Sequence, residues 1–235
     1  MRRVWSGFAI GAALLAAPAV AEKTADYTFA YVAPPAATRP PGLRQWLEQD
    51  RARFRRTVAD VAASDHADAA QSGYPFHRHE GTRRWKVITE TPLLLSLSAE
   101  TYRFTGGAHG GTTVETMLWD KSHARRLDSR DLFVSADRLQ QTLGRCWCFW
   151  LARERARRRG EVMDPDPLSS CPKVAELTLL LGSTDRRAID RVGLIAGQYV
   201  AGSYAEGMYE MTVPVTPELL ATVRPEWRAV FRVGR

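Results

Sequence analysis

The sequence predicts an α+β fold, with a mostly antiparallel sheet and two long helices, one N-terminal and one central, packed on it. Three observations predict it. Two windows, 43–63 and 136–159, carry apolar residues close to helical spacing. The stretch between them, 84–119, is rich in β-branched and aromatic residues and alternates between turn signals. After the second helix the pattern returns to short β-like runs at 191–195 and 208–213.

Residues 1–21 come first and are expected to be removed. Arg2 and Arg3 precede an apolar stretch from Val4 to Leu15, then Pro18 and the small triplet Ala19-Val20-Ala21, the order of a secretory signal peptide. The apolar run is shorter than the ~20 residues a bilayer demands, and no later segment approaches that length, so no membrane span is expected after cleavage. Residues 22–235 then form one α+β domain, or two intimately packed subdomains, in the periplasm or outside the cell. That part holds 31 basic against 26 acidic residues, a balance of +5, and its only lysines are Lys23, Lys86, Lys121 and Lys173. An exported basic protein rarely meets nucleic acid, so anionic envelope polymers or head groups are the expected partners.

A strand is expected at 26–32, stopped by the proline-rich linker 33–42. The helix after it places Leu43, Trp46, Leu47, Phe54, Val58 and Val61 on one side, with Trp46 and Phe54 expected in the core. Strands at 84–91, 93–104 and 112–119 read as an antiparallel meander, the last ending at a turn at Asp120-Lys121. A short helical turn at 129–133 buries Leu132 and Phe133; the helix 136–159 is supported by Leu139, Leu143, Trp147, Trp150 and Leu151. The run 175–181 fits strand or helix, and 217–222 reads as a helix with Thr216 as cap and Pro217 at its first position. Two arginine clusters, 51–56 and 153–159, are expected to be solvated helix faces balanced by Glu48, Asp50, Glu154 and Glu161.

Cys146, Cys148 and Cys171 allow one disulfide and one spare thiol. Cysteines two apart on a helix point about 200° away from each other, so the bridge runs to Cys171. Cys148 is the better placed, since it shares a face with Leu151 and Arg155, and Cys146 stays as the alternative. A structural zinc is the competing reading, but three thiolates have no clear fourth ligand nearby.

Candidate chemistry is sparse. His77 and His79 are spaced to share a metal on a strand, with Glu80 or His109 to complete the set, although they fall in an expected loop and no HExxH is present. The glycine-rich loop holding Gly106, Gly107, His109 and Gly110 offers a histidine little screened by side chains, suited to ligand contact or general-base work. A second glycine-bounded turn, 201–207, holds Tyr204 and Glu206, the latter a candidate acid or base. No GxSxG elbow, phosphate loop or nucleotide fingerprint occurs, and no cofactor is expected.

The order FTGGAHG, a strand ending WDKSHARRLDSRDLF, a long helix, then YVAGSYAEGMYEMTVP resembles the family of unknown function numbered 3298, also called the Deacetylase PdaC domain. The resemblance runs from about Asp26 to Phe231 and is carried by TGGAHG at 105–110, Leu127, Asp131-Leu132-Phe133 and the turn 199–207. Cys148 with Cys171-Pro172 is similar to a Gram-negative branch of it. The resemblance implies an exported domain found alone, on anti-sigma factors or fused to polysaccharide deacetylases. The deacetylase motifs of those fusions, TFDDG-like and HxxxH, are absent here. The domain is accordingly expected to be a non-catalytic binder of a cell-wall polymer, or of an envelope protein such as a lysozyme-like factor. An envelope hydrolase using His109 and Glu206 is the alternative, and a metal binder using His77 and His79 the second.

Overall fold

The computed structural model describes residues 19–160 and 170–235. The expected signal therefore lies outside the described residues as far as residue 18, and Glu161 does too; Ala19, Val20 and Ala21 begin the first strand. The α+β class holds, with nine strands in two sheets among the described residues and long helices at both expected places.

The larger sheet has six strands in chain order. β1 (Ala19–Lys23) pairs antiparallel with β2 (Tyr27–Val32); β3 (His79–Glu90), β4 (Leu94–Phe104) and β5 (Gly111–Asp120) form the expected meander, and a short, unexpected β6 (Arg125–Leu127) extends it. One pair differs: β2 and β3 run parallel, Tyr27 opposite His79 and Val32 opposite Arg84. A parallel pair requires a long crossover, and here it is built from α1 (Pro35–Thr38), one helical turn inside the expected linker, and α2 (Pro41–Ser72).

Helix α2 runs nine residues past the end its apolar stripe suggests. Beyond Val61 the stripe gives way to alanines, strong helix formers, of which Ala62 and Ala69 are buried. The helix stops at Gly73, left-handed at φ 74° and donating its N–H to Ala69. Within the stripe Leu43, Leu47, Phe54 and Val58 are buried, whereas Val61 is 40% exposed and Trp46 sits half-buried at the margin, edge-on to Trp85.

Strand β4 shows how the layers are arranged. Leu95, Leu97 and Ala99 join Met117, Trp119, Phe29 and Tyr31 in a core beneath α2. Leu94 and Leu118 point the other way, into a second core with α3 (Ala136–Arg159) and the three-stranded sheet of β7 (Thr178–Gly182), β8 (Arg191–Ala196) and β9 (Tyr209–Pro214). The open choice at 175–181 is thus resolved as a strand preceded by a 3-10 turn. Close packing of α2 on the sheet needs Gly81, where a Cβ would run into Val58. The short helix α4 (Pro217–Ala221) is capped by Thr216, which accepts the Leu219 N–H.

Two devices pin these layers. Under α2, the buried Asp50 carboxylate accepts from Tyr31 Oη at 2.8 Å, Arg83 at 2.7 Å and Trp85 Nε1 at 3.2 Å, so one helix carboxylate ties down strands β2 and β3. Burial, with the Asp50 charge beside it, holds the Tyr31 phenol well above the ordinary tyrosine range. On α3, Cys148 is joined to Cys171, Cα to Cα 5.6 Å, and Cys146 is left free and exposed.

Asp50→Ala is expected to lower unfolding free energy by about 2–4 kcal/mol, because it leaves the buried Tyr31 and Trp85 donors without their acceptor and Arg83 with Glu115 as its remaining carboxylate; urea denaturation checks it, and an unchanged midpoint would refute the pinning role. Cys148→Ser is expected to cost about 3 kcal/mol by releasing a loop of 23 residues, readable as a lowered melting midpoint that reducing agent does not lower further.

Candidate functional site

The glycine-rich loop joins β4 to β5, and the second turn lies between β8 and β9. Gly106 is left-handed at φ 85°, and Gly110 is packed so closely on the Tyr102 ring that a Cβ would enter it. These constraints turn His109 outward. Its ring stacks on Tyr204 with centroids 3.7 Å apart and planes 19° from parallel, while Nδ1 lies 3.0 Å from the Gly110 carbonyl. Tyr199 Oη stands 3.2 Å from His109 Nε2. The two loops, about 90 residues apart in sequence, are further joined by the Thr112 N–H, which donates to Gln198 Oε1 at 2.7 Å.

Glu206 belongs to the same turn but faces another set of partners. Its carboxylate accepts from Arg159 Nε at 2.6 Å, Tyr209 Oη at 2.5 Å, and the N–H and hydroxyl of Ser203 at 2.7 and 2.9 Å. Burial alone would raise its pKa, but Arg159, Tyr209 and Ser203 outweigh that and hold it at about 2. The carboxylate is therefore ionised throughout the physiological range and acts as an anchor of the turn. A general acid or base near neutrality needs a pKa close to the working pH.

The expectation of a solvated face at 153–159 is corrected here. Arg157 and Glu154 do form an exposed pair, but Arg155 is only 8% exposed and donates to the Ala201 carbonyl at 2.8 Å and the Ser170 carbonyl at 3.1 Å. Arg158 donates to the Glu206 and Met208 carbonyls, its guanidinium 3.9 Å from the Tyr209 ring centroid. Successive turns of α3 thus hold the backbone of 201–208, because that segment has carbonyls its own hydrogen bonding leaves free. In the other cluster Arg55 pairs with Glu22, and Arg53 lies over Trp46.

His77 and His79 are separated. His79 opens β3, is buried, and pairs with Asp65 of α2 at 3.2 Å; His77 is exposed before the strand begins. Phe76 is stacked between His79 and His66, which pairs with Asp26 at 2.8 Å. Among the described residues no three His, Cys, Asp or Glu side chains are arranged to hold a metal ion.

Tyr199 is the residue that the sequence-based selection of contacts missed. It is 51% exposed and has φ 65°, a left-handed conformation that a bulky residue adopts at a cost. Its sequence signal is weak, a tyrosine five residues before Tyr204 in a turn, since neither its backbone angle nor its approach to His109 is encoded locally.

Because the folded pKa of Glu206 is depressed, its contribution to stability is present above the unfolded value near 4.5 and is lost as pH falls toward about 2. Glu206→Gln is expected to cost roughly 2–3 kcal/mol at pH 7 and much less at pH 2–3, flattening the acid limb of the stability profile. Equal losses at both pH values would show that the charge is immaterial.

Residues 15–112 match the family model described as Deacetylase PdaC, a segment that includes the glycine-rich loop and ends before the 199–207 turn. Comparison with curated proteins returned no match. A crystal structure of a DUF3298 family protein from Pseudomonas aeruginosa is similar over 93% of this chain and 96% of its own, at 18% identity and a TM-score of 0.54. Another, from Bacteroides fragilis, has 16% identity and a TM-score of 0.48 over 88% of this chain and 91% of its own. Residues 15–112 thus resemble the DUF3298/PdaC family, and the fold as a whole is shared with the Pseudomonas protein.

Proposed function

We propose that this is an exported, non-catalytic domain that binds a cell-wall polymer through the surface where its two glycine-bounded loops meet. The observation that carries the proposal is the convergence of His109, Tyr199 and Tyr204 at the ends of rigid strands, with the underlying turn clamped by Arg155, Arg158 and Arg159. Binding residues sit disproportionately on loops held by a rigid scaffold, and here polar ties supply the rigidity. An N-terminal secretory pattern supports a place in the periplasm or outside the cell, and the basic balance supports an anionic wall polymer as partner there. Hydrolysis by His109 with Glu206 has less support, since the hydrogen bonds of the two side chains go to different partners and Glu206 is committed to its anchor.

The test is co-sedimentation of the mature protein with isolated sacculi, beside His109→Ala, with analysis of released fragments. The expected result is saturable binding without release, weakened about tenfold or more in the variant, a loss of about 1.4 kcal/mol. Soluble fragments that vanish in His109→Ala would replace this reading with an enzyme. No sedimentation by the wild type would leave an envelope protein, such as a lysozyme-like factor, as the partner to pursue.

A further inference from the structure

We infer that the exposed ring of Tyr199, held beside the stacked His109–Tyr204 pair, is a stacking site for a pyranose ring of a glycan strand, so that the wall polymer is recognised by its sugars and not by its peptides. This rests on the envelope-binding reading above and names the ligand class of that same site. His109 and Tyr204 are stacked face to face, centroids 3.7 Å apart at 19°, and Tyr199 stands beside that pair, its centroid 6.5 Å from His109 at 27° and 6.0 Å from Tyr204 at 34°. A β-linked pyranose with equatorial substituents presents a flat face of C–H bonds and a rim of hydroxyls. That matches an aromatic face bordered by polar atoms.

Tyr199 makes the case specific. Its left-handed backbone is unfavourable for a bulky residue, and folding does not recover that cost by burying the ring, which stays half exposed. With its hydroxyl engaged by His109 and its ring still half exposed, strain kept at this position points to a partner for the ring. The rim is supplied by the neighbouring Gln198, whose carbonyl is fixed by the Thr112 N–H so that its amide NH2 is left to donate. In the same loop, side chains added at Gly107 or Gly111 would meet nothing within 4 Å, so the surface there is open. A flat, open surface suits a sugar face, whereas a peptide side chain calls for a pocket.

The experiment uses the mature protein and two soluble probes, peptide-free glycan strands and isolated stem peptides, titrated by calorimetry, with intact sacculi sedimented in parallel. Wild type is expected to bind strands and not stem peptides. Tyr199→Ala is expected to weaken strand binding about tenfold, and Tyr199→Phe, which keeps the ring and loses only the hydroxyl, by less than about threefold. An equal loss in both variants would overturn stacking, since the hydroxyl and not the ring would be responsible. Sacculus binding that depends on His109 but is reproduced by stem peptides and not by strands would overturn the glycan assignment and leave the envelope reading standing. Failure of the wild type to bind sacculi would remove both.

Discussion

Strand β4 is buried on both faces, and most of the architecture depends on that constraint. A strand that turns Leu95, Leu97 and Ala99 to one side and Leu94 to the other, with Ser96 and Ser98 also buried, cannot rest on a single layer. Helix α2 covers one face, and α3 with the three-stranded sheet covers the other. The hairpin end of β4 therefore emerges beside the second sheet. That is why the β4–β5 loop meets the β8–β9 turn, and why Thr178 Oγ1 reaches the Val114 carbonyl at 3.0 Å.

Apolar burial supplies the layers, but orientation within them is set by charged groups at few positions. Asp50 under α2 and Glu206 at the end of α3 are each a carboxylate surrounded by donors from different elements. Such groups add little net stability compared with well-packed apolar side chains, yet removing one partner is costly, so they penalise alternative registers of helix on sheet. Asp190 does the same near the C-terminus. It accepts from Thr184 and from Arg232, and these bonds hold its carboxyl below the usual range against the upward push of burial.

The candidate surface is the product of both kinds of constraint. The loop glycines allow a left-handed turn at Gly106 and a close seat on Tyr102 at Gly110, which leave His109 outside the sheet. The arginines of α3 hold the opposing turn by its carbonyls, which are present whatever side chains that turn carries. The side chains of Tyr199 and Tyr204 are thereby brought against His109.

Much was legible locally. Alternation in β4 and β5, the apolar period of α3, the cap at Thr216 and the bridge from Cys148 to Cys171 are all consequences of short-range geometry, which one sequence records. The glycine-rich loop and the turn with Tyr204 also stood out, because glycine has few reasons to cluster. The parallel pairing of β2 with β3 was not legible, since strand direction depends on where a crossover helix returns the chain. Nor was the length of α2, whose last turns are held by alanine packing and by His79 reaching Asp65. The sequence by itself determined most of the elements, narrowed the disulfide to Cys146 or Cys148 with Cys171, and singled out the two glycine-bounded loops. Only tertiary structure decided that Tyr199 joins His109, that Glu206 is an anchor, and that His77 and His79 part company, because each depends on which distant groups are delivered to within about 3 Å.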